Sequence, residues 1–105
     1  MGKVAEERRE VIWTTSARNE LDDIIAYIAK DAPLSALAFL EEVLDTADSL
    51  VTLAERGRVV PELQNPFIRE LFIKHYRLFY EIQDRAVYVL GLIHGARDFK
   101  PHETN

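Results

Sequence analysis

The spacing of the apolar residues changes near residue 57 of this 105-residue chain. Between residues 17 and 53 the apolar positions recur at the period of a helix, and beyond residue 57 they follow the two-residue period of β-strands. A chain with this order of patterns must form an α+β domain, in which the helices pack together on one side of a largely antiparallel sheet.

The N-terminal half predicts one strand followed by a first helix. Residues Glu10–Thr14 are short and rich in β-forming side chains, which indicates a strand. Ser16 is the expected N-cap of the helix, because its hydroxyl can accept a backbone N–H of the first turn. Pro33 disfavours a helical residue before it, so this helix should end around residues 30–32. Its apolar stripe consists of Ala17, Leu21, Ile24, Ile25 and Ile28.

A second helix is predicted from Pro33, which suits a first helical turn because its missing N–H is not needed there. Gly57 is a candidate terminator. Since the loop between the helices is short, they should form an antiparallel hairpin. The second apolar stripe consists of Ala36, Leu37, Leu40, Val43, Leu44, Ala47, Leu50 and Leu53.

Three further strands are predicted at Phe67–Lys74, Tyr76–Ile82 and Ala86–His94. Strands joined by such short turns must be antiparallel. The last strand is apolar on both faces, which favours a central position. On the middle strand the expected core face is Tyr76, Leu78, Tyr80 and Ile82, and the opposite face is Arg77, Phe79 and Glu81.

These elements predict the order β-α-α-β-β-β, with a helical hairpin packed on one face of a mainly antiparallel, four-stranded sheet. We expect one domain over residues 1–105, with a core of about 10–99 and short charged tails. The sheet face away from the helices carries Arg77, with Arg69 as a second candidate. We expect this face to be partly open and available to a partner or substrate.

Composition excludes several classes of function. The chain has no Cys, which excludes disulfides, thiol nucleophiles and Cys-ligated zinc. It has no secretory signal and no apolar run near the ~20 residues that cross a bilayer, so we expect a cytoplasmic protein without membrane contact. The net charge of −5 disfavours a sequence-independent grip on nucleic acid. No Gly-rich phosphate loop or metal-ligand spacing is present, so no cofactor or metal is predicted.

The formal charge is unevenly distributed. Residues 1–55 carry five bases and twelve acids, which gives 5 − 12 = −7, whereas residues 56–105 carry eight bases and six acids, which gives 8 − 6 = +2. The C-terminal half therefore has the capacity for a local basic patch.

Three segments together resemble toxins of the RelE/ParE superfamily. The first segment is WTTSARNELDDIIAYI, residues 13–28. The second is RGRVVPEL, residues 56–63, which is followed by IREL, residues 68–71. The third is YRLFY, residues 76–80, which is followed by VYVLGLIHGARD, residues 87–98. They occur in the family's order and at similar spacing, over about residues 11–99. The resemblance implies a small α+β toxin that a partner antitoxin holds inactive in a toxin–antitoxin hetero-oligomer.

The superfamily contains two activities. RelE-like members cut messenger RNA on the ribosome, and there the arginines that match Arg77 and Arg97 act on phosphate. A guanidinium can hold a phosphate through two parallel hydrogen bonds and stays protonated near neutral pH. The alternative is that these arginines are solvated or pair with carboxylates, Arg77 with Glu81 and Arg97 with Asp98.

RNA cleavage also requires an acid and a base. RelE-like members use lysines on the strand before Tyr-Arg and a C-terminal tyrosine. Here that strand offers only Lys74, and residues 99–105 contain no Tyr. His94 or His102 is a candidate substitute, although a lone His at a strand end is more often structural.

ParE-like members bind and poison DNA gyrase. The acidic balance and the segments Arg-Glu-Leu and His-Gly-Ala-Arg-Asp favour this activity. We therefore predict a ParE-like inhibitor of gyrase, with a RelE-like endoribonuclease using Arg77, Arg97 and His94 as the alternative. A non-toxic remnant that still binds its antitoxin is the third possibility. The predicted partner-binding or basic-face residues are Arg69, Lys74, Tyr76, Arg77 and Arg97.

Overall fold

The computed structural model describes residues 7–96 and confirms the predicted α+β class. A 3₁₀ turn at Ala54–Arg56 follows the two helices. The elements are β1 (Glu10–Trp13), α1 (Thr15–Ala29), α2 (Pro33–Ser49), β2 (Arg58–Val59), β3 (Ile68–Ile73), β4 (Tyr76–Ile82) and β5 (Ala86–His94).

The strands form one mixed sheet in the order β1-β5-β4-β3-β2. β1 pairs with β5 in parallel, and all other neighbours are antiparallel. As predicted, β5 is an interior strand. The sheet has five strands rather than four, because residues Arg58 and Val59 pair with β3. A two-residue strand is too short to show an alternating pattern, so the sequence could not indicate it.

Helix α1 begins two residues earlier than predicted. Its N-cap is Thr14 rather than Ser16, since the Thr14 hydroxyl accepts the Ala17 N–H at 3.1 Å. The same hydroxyl donates to the Val89 carbonyl of β5 at 2.9 Å. Thr14 therefore caps the helix and joins it to the sheet, a tertiary contact that sequence alone does not reveal.

The position of α1 is fixed further by Glu20. β1 pairs only with Ala86–Val89, so β5 continues beyond the end of its parallel partner. The Glu20 carboxylate accepts the backbone N–H of Leu92 at 2.9 Å. A helix side chain thus satisfies a backbone donor at the edge of the strand, where a neighbouring strand would otherwise be needed.

The core lies between the helical hairpin and the sheet. On β4, Leu78 and Tyr80 are fully buried in the core and Ile82 nearly so, with Tyr76 packed at its edge, which confirms the predicted core face. The residues that α2 contributes are Phe39, Val43 and the helix-terminal Leu50. Burying one such side chain stabilises the fold by roughly 1.5–3 kcal/mol.

The predicted apolar stripe of α2 was too wide. Leu37, Leu44 and Leu53 are exposed, whereas Phe39 is buried. Phe39 and Val43 lie four residues apart on the core face, and Leu37 and Leu44 lie on a neighbouring sector of the helix. Leu53 follows the helix, which ends at Ser49. The helix therefore has more apolar surface than the sheet can cover.

Candidate functional site

Arg77 lies on the sheet face away from the helices, and its guanidinium is bound by two carboxylates. Its Nε donates to Glu70 at 2.7 Å, and Nη2 lies 2.6 Å from the same carboxylate oxygen. Its Nη1 and Nη2 donate to the two carboxylate oxygens of Glu62 at 3.1 and 3.0 Å. This double contact is the bidentate geometry that makes arginine–carboxylate pairs strong.

A second arginine completes the group, since Arg58 Nε donates to the other oxygen of Glu70. We call Arg58, Glu62, Glu70 and Arg77 the ion cluster. Its two positive and two negative charges cancel. The Glu70 side chain is 0% exposed and that of Arg77 is 7% exposed, whereas Glu62 is 29% exposed. Glu70 is therefore the inner carboxylate of the cluster and Glu62 the outer one.

The position of the Arg77 side chain is set by packing as well as by charge. Its guanidinium carbon lies 4.7 Å from the centre of the Phe79 ring, a cation–π distance. A Cβ at Gly95 would lie 3.6 Å from Arg77 Cγ and 3.2 Å from the His75 carbonyl oxygen, so the chain passes close to the arginine stem. Hydrogen bonds to Glu62 raise the pKa of Arg77 most, with further contributions from Glu70, so it stays charged.

The face away from the helices is partly open, as expected, since Phe72, the cross-strand neighbour of Arg77, is 57% exposed. It is not open at Arg77 itself: Arg77 and Phe79 are buried, and Glu62 reaches Arg77 from the segment between β2 and β3. The suggested pairing of Arg77 with Glu81 was wrong. These residues are four apart on one strand, which separates them by about 13 Å.

His94 does not share a face with Arg77. It lies opposite Tyr76, the neighbour of Arg77 on β4, and adjacent residues of a strand point to opposite faces. The His94 ring packs edge-on against Tyr76 with centroids 5.7 Å apart, and its Nδ1 accepts the Ala96 N–H at 3.3 Å. The proposed acid or base and the proposed phosphate ligand are thus separated by the sheet.

The other predicted basic residues have structural contacts. Arg69 donates to the backbone carbonyls of Glu55, Gly57 and Pro66 at 3.2, 3.0 and 3.1 Å, so it fastens the segment before β3. It lies opposite Tyr80 in the register and not on the face of Arg77.

Lys74 is exposed in the β3–β4 turn, 3.5 Å from Glu42 of α2. Arg97 and His102 lie outside the described residues, and the convergence of Arg77 with Arg97 stays a prediction.

Tyr80 and Gly57 are structural residues whose role the sequence did not indicate. The Tyr80 hydroxyl donates to the Ala54 carbonyl at 2.7 Å and accepts the Gly57 N–H at 2.9 Å. A Cβ at Gly57 would lie 2.6 Å from both the Glu70 carbonyl oxygen and the Tyr80 hydroxyl, which explains the glycine. Its φ of −79° is ordinary, so close approach rather than backbone freedom selects it. The Arg-Gly-Arg segment is therefore attached directly to the sheet.

We expect Tyr80→Phe to reduce the free energy of unfolding by about 1–3 kcal/mol, because the Ala54 carbonyl and the Gly57 N–H lose their buried partner. Urea denaturation measures this loss. Burial raises the pKa of Tyr80 in the folded state, whereas in the unfolded chain the phenol ionises near pH 10.

The stabilisation by Tyr80 should thus be complete below about pH 10 and decrease as the pH rises further. The difference between wild type and Tyr80→Phe should shrink above that pH, since the other tyrosines cancel in the comparison. A difference that stays constant to pH 11 would contradict this assignment.

The outer face of α2 is the second candidate site. Leu34, Leu37 and Leu44 are 81%, 52% and 46% exposed and recur at helical spacing. We call these three residues the leucine stripe. Exposed acids lie among and beside them, namely Glu41, Asp45 and Asp48.

Residues 15–50 as a whole carry two bases and eight acids, 2 − 8 = −6. An apolar stripe within such an acidic surface is typical of a site for a basic, partly apolar partner.

Among residues 7–96 there is no cluster of three His, Cys, Asp or Glu side chains suited to a metal ion. No helix in this part of the chain is long and apolar enough to span a membrane. The described sites are thus an internally neutralised ion cluster on one side of the molecule and an acidic, apolar helix face on the other.

Comparison with known proteins agrees with this architecture. A solved chain from the chromosomal ParDE toxin–antitoxin system of P. aeruginosa is similar to this one, with a TM-score of 0.70 and 19% sequence identity. The match covers 84% of this chain and 97% of that chain, and at this identity it shows the fold alone. No curated protein matches the sequence significantly.

The fold is that of a small α+β toxin from a toxin–antitoxin module. The profile of one family, described as the ParE toxin of the type II toxin–antitoxin system parDE, matches residues 11–99. The chain therefore belongs to the ParE toxin family, as the resemblance predicted. Membership of this family implies an antitoxin partner.

Proposed function

We propose that the protein is a cytoplasmic toxin that inhibits DNA gyrase by protein–protein binding and is neutralised by a cognate antitoxin in a hetero-oligomer. The observation that carries the proposal is the ion cluster. The side chain that corresponds to the phosphate ligand of RelE-like nucleases, Arg77, already contacts Glu62 and Glu70. A phosphodiester would have to displace Glu62, whose two carboxylate oxygens already accept hydrogen bonds from both terminal nitrogens of Arg77.

The placement of His94 on the opposite face also supports a non-nuclease. General acid–base catalysis requires the acid or base within hydrogen-bond reach of the reacting group. A phosphate at Arg77 would be on the far side of the sheet from His94. The net charge of −5 also disfavours the encounter with ribosomal RNA, because both surfaces are negatively charged. Binding to a protein such as gyrase requires neither an acid or base near Arg77 nor attraction to negatively charged RNA.

We further propose that the antitoxin covers the leucine stripe. A segment with apolar side chains at helical spacing and flanking Lys or Arg residues would bury the stripe and neutralise the acids around it. Lys74, at the exposed β3–β4 turn, remains a proposed contact for gyrase or the antitoxin, as does Tyr76. Arg69 would hold the backbone beside such a surface in place, and Arg77 stays a proposed contact whose guanidinium is bound by Glu62 in the free protein.

The test is a pair of assays on the purified toxin: gyrase supercoiling, and cleavage of mRNA on programmed ribosomes. We expect loss of supercoiling activity and intact mRNA. Cleaved mRNA that becomes intact with Arg97→Ala would instead establish the ribonuclease alternative. No effect in either assay, with antitoxin binding retained, would identify a non-toxic remnant. Arg97→Ala is the informative variant, because Arg77→Ala also disrupts the ion cluster.

A further inference from the structure

The Arg77 guanidinium has the properties of a preorganised receptor for a carboxylate. Glu70 binds its Nε side, the Phe79 ring lies against its plane, and Gly95 packs against its stem. These contacts come from strands β3, β4 and the end of β5, so they hold the guanidinium in place. Its Nη1 and Nη2 then donate together to a single carboxylate, that of Glu62.

Glu62 differs from these supports because it lies in an irregular segment. Residues 60–67, which we call the 60–67 loop, connect β2 to β3 and form no strand pairs. The backbone hydrogen bonds next to Glu62 are local, since the N–H groups of Leu63 and Gln64 both donate to the Val60 carbonyl at 3.1 Å. Only the two ends of the loop form backbone hydrogen bonds to the sheet, through the Val60 N–H to Ile68 and the Phe67 carbonyl to Ile82. Gln64 also has a positive φ of 54°. The Glu62 carboxylate can therefore leave Arg77 without breaking the sheet.

The charges of the cluster specify which ligand can take its place. Glu62 contributes one negative charge, and the cluster is neutral only with that charge present. A second monoanionic carboxylate would restore neutrality and fit the same two N–H donors. A phosphate dianion would leave an excess negative charge beside the buried Glu70.

We propose that Arg77 forms a carboxylate-binding site which Glu62 occupies in the free protein, and which an Asp or Glu side chain of a protein partner occupies by exchange. The site is distinct from the leucine stripe and lies on the opposite side of the sheet from the helices. It does not depend on gyrase being the target, and its test requires neither gyrase nor the antitoxin.

The first experiment removes the internal occupant and supplies a small carboxylate. The thermal unfolding midpoint of Glu62→Ala is measured in sodium acetate and in sodium chloride at equal ionic strength. At saturating acetate we expect a midpoint about 4 °C or more above that in chloride, whereas wild type shows no such difference. Glu62→Gln is the matched control, because its amide fills the same space and should prevent the response.

Two results would overturn the assignment. One is a Glu62→Ala protein that responds equally to acetate and chloride, or a Glu62→Gln protein that responds as strongly as Glu62→Ala. The other is a greater stabilisation by inorganic phosphate than by acetate at equal ionic strength, which would make the site a phosphate site and favour a nucleic-acid ligand.

The second experiment asks whether Glu62 leaves Arg77 in the wild-type protein. Native-state hydrogen exchange should show the Leu63 and Gln64 amides exchanging about 100-fold or more faster than those of β4, through local opening of the 60–67 loop. If these amides exchange only with global unfolding, the carboxylate does not dissociate and exchange with a partner is excluded.

Discussion

Glu70→Ala is expected to lower the free energy of unfolding by about 3–5 kcal/mol. The substitution removes the inner carboxylate of the ion cluster and leaves Arg77 paired only with Glu62, while Arg58 loses its acceptor. Because Arg77 is buried, water cannot replace the lost carboxylate, and the arginine is left incompletely compensated. Urea denaturation followed by circular dichroism measures the loss as a shift of the midpoint at unchanged slope.

Glu42→Ala is the matched control for this prediction. Glu42 also faces a base, Lys74, but both side chains are exposed. Exposed pairs contribute about 0–1 kcal/mol, so this variant should unfold close to wild type. If the loss for Glu70→Ala were no larger than that for Glu42→Ala, the cluster would not stabilise the fold and Arg77 would be available for another role.

The double substitution Leu37→Asp and Leu44→Asp is expected to weaken antitoxin binding by about 100-fold or more. It removes two apolar contacts and adds negative charge to a surface that we propose to bind a basic, apolar segment. Folding should be nearly unaffected, since both leucines are about half exposed. Titration calorimetry with the cognate antitoxin measures the affinity, and binding by wild type should also weaken as salt increases.

Ser35→Asp provides the control for charge alone, because Ser35 is exposed on α2 but lies on the opposite side of the helix from Leu37 and Leu44 at 3.6 residues per turn. It should bind the antitoxin nearly as well as wild type. Unchanged affinity of the double variant would place the antitoxin elsewhere, and the sheet face with the ion cluster would then be the next surface to test.

Much of the fold could be predicted because each element has a local cause. Pro33 starts α2 as predicted, and the alternation on β4 separates core residues such as Leu78 from Arg77. The errors occur where one element depends on another. Thr14 is the cap instead of Ser16 because its hydroxyl also reaches β5, and β2 exists only because β3 lies beside it.

The candidate site could be predicted only in part. The sequence indicated Arg77 as the residue of interest and a carboxylate pair as the alternative to phosphate. It did not indicate Glu62 and Glu70, which lie fifteen and seven residues away in the chain. Their contact with Arg77 arises from the β3–β4 register and from the path of the 60–67 loop, and neither leaves a periodic signal.

By itself, the sequence determined the class of the fold, the order of its main elements and the family of the protein. Hydrophobic period, proline position and charge are local properties, and they can be read from the sequence without knowing any long-range contact. Only the tertiary structure decided that Arg77 is neutralised internally, that His94 points to the other face, and that the leucine stripe of α2 stays exposed. Those outcomes depend on which surfaces meet, because burial and pairing are properties of two elements and not of one.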